Sequence, residues 1–254
     1  MKAKISKEFL HDVIEWDIYN WSHSLKYWQD HSGLELKSAN ILELGSRNGG
    51  LSLWAALNGA NVLCTDLDGP TPKALEKHKR YNIEKSIQYD KLNASDIKYK
   101  NHFDIVMFKS VLGAVGYNFN KTAQKEAINQ IFYSLKEGGE LWFAENLVAS
   151  PLHKFLRKNY VNWGNTWGYV TTKEMTEYLS AFSDVNYTTL GFLATLGRNE
   201  FQRKFLGVLD NKVLNKVIPK HWHYIIIGVA KKINIYPSSF KLPLCWLHSL
   251  TPVT

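Results

Sequence analysis

The chain has 254 residues and a formal net charge of +8, with 45% hydrophobic and 21% charged residues. That is the composition of a globular protein with a sizeable core, and no apolar run reaches the roughly 20 residues a membrane-spanning helix needs. The first residues, MKAKISKEFLHDVIEWD, lack the apolar stretch and cleavage site of a secretory signal. Two cysteines make a disulfide framework unexpected, so a cytoplasmic protein is the expectation. The charge points to an acidic partner: nucleic acid, an anionic metabolite or a membrane face. Nine tryptophans call for either extensive ring packing or a ring-lined pocket.

Residues 7–31 read as one helix, because Ile14, Ile18, Trp21, Leu25 and Trp28 recur in steps of four and three. Trp16, Asn20, His23 and Tyr27 lie on a second face, so the helix should cover the body on one side and something else on the other. Strand and helix then alternate. ANILELG, NVLCTDLD, SIQYDKLN, HFDIVMFKSV and GELWFAENL read as strands. GGLSLWAALNG, TPKALEKHKRYN and TAQKEAINQIFYSLKEGG read as helices, which makes a parallel sheet of βαβ units. After Ser150 the regularity loosens. PLHKFLRKNYVNWGNTWGYVTT mixes rings, basic residues and asparagine, and TKEMTEYLSAF reads as a helix. DVNYTTLGFL and WHYIIIGVAKK read as the last strands, with a basic, partly helical stretch over 199–220 between them. The tail from 234 has three prolines and no period. The chain divides into an N-terminal helical cover (1–35), a core (36–150), a substrate-side insertion with helices (151–220), and a last strand with its tail (221–254).

ILELGSRNGG carries the chemistry. Gly45, Gly49 and Gly50 fail the spacing G-x-G-x-x-G of a dinucleotide site, which disfavours a dehydrogenase. Glu43-Leu44-Gly45-Ser46-Arg47-Asn48-Gly49 instead resembles the first motif of class I S-adenosylmethionine (SAM) methyltransferases, an acid followed by alternating glycines, except that Arg47 stands where a glycine is usual. A doubly cationic donor without phosphate wants a carboxylate near its ammonium. The resemblance covers 41–147 and the last two strands. It implies a Rossmann-like, seven-stranded, mostly parallel α/β sheet with helices on both faces and an antiparallel last strand. It further implies cofactor contacts from Glu43, Gly45, Ser46, Arg47 and Gly49, from Asp66 and Leu67 at the next strand end, and from Asn93 and Ala94 after the third strand. Asp66 is there the ribose ligand, and Asn93 replaces the usual aspartate.

In such enzymes the end of the fourth strand, here Phe108-Lys109-Ser110, lies near the transferred methyl. FKSV is not the Asn/Asp-Pro-Pro-aromatic stretch of nucleic-acid amine methylases. Lys109 is a candidate base and cofactor contact, with Glu145 as its partner; both also have ordinary surface readings. His23 is the third catalytic candidate, and Trp16, Tyr19, Asn20 and Tyr27 are acceptor candidates on the cover. EWDIYNWSHSLKYW resembles the N-terminal segment of some small methyltransferases of bacterial surface-polysaccharide pathways. Trp163, Trp167 and Tyr169, interleaved with Lys154, Arg157 and Lys158, suit an anionic acceptor or RNA. His221 and His223 read as packing or surface residues, and no metal is expected.

The reading is an O-methyltransferase that uses SAM, releases S-adenosylhomocysteine, and acts on a small anionic acceptor of the phosphorylated, nucleotide-linked or acidic-sugar kind in surface-polysaccharide synthesis. An RNA methyltransferase and a non-catalytic SAM-binding or partner protein stand as alternatives. In the last of these the apolar tail with Trp246 and Leu247 is the contact surface for a partner; otherwise it is expected to pack on its own body or on a second copy of the chain, as in a homodimer.

Overall fold

The computed structural model describes residues 6–161 and 164–233. Three helices lead in: α1 (Lys7–Ile14), α2 (Ile18–Trp21) and α3 (His23–His31). Next come β1 (Asn40–Leu44), α4 (Gly50–Leu57), β2 (Asn61–Asp66), α5 (Pro72–Arg80), β3 (Ile87–Lys91), β4 (Phe103–Lys109), α6 (Leu112–Val115), α7 (Lys121–Ser134) and β5 (Leu135–Asn146). The chain continues through α8 (Pro151–Tyr160), α9 (Thr172–Tyr178), β6 (Asp184–Leu190), α10 (Glu200–Leu209), α11 (Asn215–Val217) and β7 (Ile225–Lys231). The seven strands form one sheet in the order β3-β2-β1-β4-β5-β7-β6, and β7 is antiparallel to both neighbours. This is the expected Rossmann-like arrangement. The direction of winding reverses between β1 and β4, the place where such sheets bind ligands beyond their carboxyl ends.

The strands read as apolar runs because both faces are covered. One face carries a tryptophan cluster: Trp28 lies 6.0 Å from Trp142 and 6.1 Å from Trp54, and its Nε1 donates to the Phe143 carbonyl at 3.2 Å. Phe108, Phe143, Ile128 and Ile131 fill the other. Trp21, Trp28, Trp54 and Trp142 are thus packing residues. Among the described residues no helix is long and apolar enough to cross a membrane.

The helix expected over 7–31 is broken. Glu15 and Asp17 take φ of 73° and 43°, and the chain kinks between α1 and α2. Glu200 of α10 stabilises the break by accepting the Asp17 and Ile18 N–H groups at 2.8 and 3.0 Å, replacing the bonds a continuous helix would have made. The periodic residues still face the core, since Ile14, Trp21 and Trp28 are fully buried. Two further differences lie downstream. α7 stops at Ser134 because residues 135–139 already belong to a β5 of 12 residues. The stretch after Ser150, which shows no period, begins with α8, capped by the Ser150 side chain and by Pro at its start.

Candidate active site

The turn after β1 is shaped by three left-handed residues, Gly45 (φ 62°), Arg47 (φ 48°) and Gly49 (φ 68°). A Cβ on Gly45 would stand 2.5 Å from Val111 Cγ2, and one on Gly49 would stand 2.4 Å from the His78 ring. Position 47 needs the left-handed conformation too, which accounts for the usual glycine; arginine occupies it at a cost of about 1 kcal/mol. Outside bonds hold the turn. Ser46 N–H donates to the Thr65 carbonyl at 2.8 Å, Arg47 N–H donates to Asp66 Oδ2 at 2.7 Å, and His78 Nε2 donates to the Gly49 carbonyl at 2.8 Å. His78 Nδ1 then accepts from the Tyr89 hydroxyl, and burial lowers the imidazole pKa, in keeping with a neutral ring.

Glu43 sits under this turn, 3% exposed. Its Oε2 accepts from Ser52 N–H at 2.8 Å and from the Ser52 hydroxyl, near the start of α4. Burial raises its pKa to about 7 against those bonds. Asp66 stands at the end of β2, with Oδ2 on Arg47 N–H and Oδ1 on Leu67 N–H at 2.8 Å. A carboxylate has about four acceptor positions, so each oxygen keeps one for a hydroxyl. At the end of β4, the Lys109 ammonium lies 5.3 Å over the Trp21 ring and forms no ion pair among the described residues. Burial lowers its pKa, with Glu15 and Glu43 opposing. Ser110 follows with φ 60° and accepts from the Asn146 amide at 2.6 Å.

Two cavities meet here. The smaller, about 200 Å³, is lined by Glu43, Gly45, Ser46, Gly50 and Lys109. The larger, about 930 Å³, is lined by α1, α5, α8, the 167–169 segment and Arg203. Glu15, Trp16, Arg47, Ser110 and Trp167 border both, so the two adjoin. The Trp167 ring packs against Gly113, where an added Cβ would be 1.7 Å from its Nε1. The larger cavity is cationic. Its acids are spoken for: Glu15 pairs with Lys77 at 3.3 Å and Asp12 with Arg80 at 2.5 Å. Arg203 pairs with Glu200 at 2.7 Å. Arg47, Lys73 and Arg157 have no carboxylate partner among the described residues. Arg157 stacks 3.9 Å over Tyr169 and donates to the Leu147 and Val148 carbonyls.

The structure gathers Glu43, Gly45, Ser46, Arg47, Lys109, Trp16, Trp167 and Tyr169 around these cavities. Other candidates lie elsewhere. Glu145 is fully buried; its oxygens accept from Val111, Leu112 and Asn146 N–H at 2.7–2.8 Å, so it fixes the turn after β4 instead of partnering Lys109. His23 donates from Nδ1 to the Tyr19 carbonyl and accepts the Asn211 amide on Nε2, which makes it a link between helices. Tyr19 packs against Gly207 of α10, Asn20 is buried on Tyr224 and Asp210, and Tyr27 stacks on His31 at 3.9 Å. Leu67, Asn93 and Ala94 line neither cavity, nor does Asp66; the Asn93 side chain turns back to Ser95 N–H. Trp163 and the tail with Trp246 and Leu247 lie outside the described residues. His223 is buried on Thr189 and His221 is exposed, both before β7. Among the described residues no cluster of three or more His, Cys, Asp or Glu could hold a metal. The sequence reading missed Asp12, Glu15, Lys73 and Lys77, because only the kink after α1 turns that helix end toward α5. Positive φ at Ser110 is a structural mark with no sequence signal.

A tight glycine turn over a buried acid thus stands at the switch point of this sheet. Residues 42–143 match the family model of a methyltransferase domain. The chain thus carries a methyltransferase domain of the SAM-dependent kind. It is 24% identical over 210 residues, 78% of this chain and 77% of the relative, to a tRNA U34 carboxymethyltransferase of Helicobacter pylori (strain Shi470). The same-named protein of Helicobacter acinonychis (strain Sheeba) is 26% identical over 157 residues, 58% of this chain and 56% of the relative. In fold it is similar to phosphoethanolamine N-methyltransferase 2 of Haemonchus contortus solved with SAM (TM-score 0.60, 17% identity, 92% of this chain and 59% of that one). It is also similar to a 1,6-didemethyltoxoflavin-N1-methyltransferase of Burkholderia thailandensis solved with S-adenosylhomocysteine (TM-score 0.57, 14% identity, 88% and 82% covered).

The residues present fit the cofactor. The small cavity suits its amino-acid end: the Glu43 carboxyl on its wall suits an ammonium, while Arg47 suits a carboxylate. Asp66, at the next strand end, suits the ribose hydroxyls. The bound cofactor supplies an activated methyl group.

Proposed function

We propose that the chain methylates an oxygen of a small anionic acceptor of the phosphorylated, nucleotide-linked or acidic-sugar kind, within the cytoplasm and in the service of surface-polysaccharide synthesis. The observation that carries the acceptor class is the set of uncompensated cations, Arg47, Lys73 and Arg157, on a cavity that adjoins the donor cavity. Glu43 holds the donor ammonium and Asp66 its ribose. Lys109, whose pKa burial lowers, takes the acceptor hydroxyl proton; Trp16 and Trp167 close the junction against water. The N-terminal helices act as the cover, through the end of α1 and Trp16. The test is methyl transfer from labelled SAM into a cell extract split into small molecules and RNA. Label in an acidic small molecule supports the reading. Label only in ribonuclease-sensitive material overturns it.

The second reading is methyl transfer to RNA, favoured by the tRNA U34 carboxymethyltransferases among the relatives. It requires turnover that falls steeply with salt, because phosphate contacts release counterions.

A further inference from the structure

The outer side of the segment from α10 through α11 carries an apolar row that nothing among the described residues covers. Phe201, Phe205, Leu209, Val213 and Val217 recur at every fourth position and are 83%, 63%, 38%, 51% and 69% exposed. In an uninterrupted α-helix, steps of four overshoot a turn by about 40° each, and such a row would wind around the axis. The wider i→i+5 turn at Asp210–Leu214 winds more slowly and takes part of that drift back.

The charges of the segment are one-sided as well. Residues 198–220 contain two acids, and both are held by other groups of the chain. Asp210 is buried and accepts the Phe192, Leu193 and Ala194 N–H groups. Glu200 is taken by Arg203 and by the N–H groups of Asp17 and Ile18. Arg198, Lys204, Lys212, Lys216 and Lys220 are left exposed. α8 repeats the pattern: Leu152, Phe155 and Tyr160 are exposed beside Lys154 and Lys158, with no acid from 150 to 161. Both helices border the larger cavity, α8 through Arg157 and α10 through Arg203.

We infer that this face docks on a membrane surface bearing anionic lipid, which brings the rim of the larger cavity to the headgroup layer. Aromatic and aliphatic side chains flanked by lysines are what an in-plane amphipathic helix presents to the boundary of headgroups and acyl chains. Lysines gain from the negative surface potential of such a leaflet. RNA has a use for stacked rings and lysines but none for Leu209, Val213 and Val217. A second copy docking the same face in a two-fold dimer would set lysine rows against each other.

The test is flotation of the full chain with vesicles of phosphatidylcholine plus phosphatidylglycerol, and with phosphatidylcholine alone. The parent should float with the anionic vesicles and not with the neutral ones. The double variants Phe201→Ser/Phe205→Ser and Lys212→Glu/Lys216→Glu should each bind at least about tenfold more weakly, with melting temperature and SAM binding unchanged. Failure of the parent to float, or equal flotation of either variant, overturns the inference. So does a parent dimer that the phenylalanine variant dissociates, or RNA binding through Lys212 and Lys216 without vesicle binding.

Discussion

Lowering the pH from about 7 to about 5 should weaken SAM binding about 50-fold, through Glu43 alone. The free protein holds this carboxyl at a pKa of about 7, because burial beneath the turn outweighs the two Ser52 bonds. A bound ammonium favours the ionised form and pulls the pKa to the ordinary carboxylate range or below. Binding at low pH must then release a proton, and the affinity follows the ionised fraction of the free protein. That fraction is about one half at pH 7 and about one hundredth at pH 5, a factor of about 50 or about 2.3 kcal/mol. The donor's own α-ammonium stays protonated across this window, since such groups titrate near about 8. Calorimetric titration in buffers of different ionisation enthalpy would count the proton directly. Glu43→Gln should bind weakly and without this slope. A parent affinity flat from about pH 7 to about pH 5, or a variant with the parent's slope, would refute the placement of Glu43 at the ammonium.

Other outcomes follow from the same geometry. Lys109→Met should keep SAM affinity and lose turnover by at least about 100-fold; retained turnover in a single-turnover assay removes Lys109 from the chemistry. Gly113→Ala drives a Cβ into Trp167, so it should raise the acceptor KM and cost on the order of 1–3 kcal/mol in urea unfolding, with SAM binding intact; an unchanged KM would contradict the role of Trp167 in the cavity wall. Asp17, Glu43 and Glu145 all have pKa values raised to about 7 by burial. The folded state therefore retains protons that the unfolded chain has already lost. Stability is fullest at pH below the ordinary carboxylate range and falls as pH rises through about 7, by about 1.4 kcal/mol per group between about pH 6 and about pH 8.5. Asp17→Asn, which suits the left-handed backbone there, should remove about a third of that loss; a parent more stable at the higher pH would be the contrary result.

The order of strands and helices, the donor turn and its acid were legible in the sequence because each is a local statement. Alternation of apolar runs with amphipathic stretches dictates βαβ units. An acid before G-x-x-x-G needs only neighbouring residues to mean a cationic ligand. Arg47 was legible as a departure but not as a cavity residue, since only the left-handed turn points it there. Distant contacts were silent. Nothing near Glu15 announces the kink, because the bonds that replace the helix's own come from Glu200, far along the chain. That kink decides which residues of the cover meet the site: Glu15 and Trp16 do, while Asn20, His23 and Tyr27 are absorbed by α10, Asp210, Asn211 and a neighbouring ring. Glu145 and Lys109 end adjacent strands, and sequence pairs them naturally; only the packed turn at Val111 and Leu112 consumes the acid and leaves the lysine without a partner. A local pattern can state which chemistry a residue offers, but burial and competition for hydrogen bonds, which depend on the whole packed chain, decide whether that chemistry is still free to act.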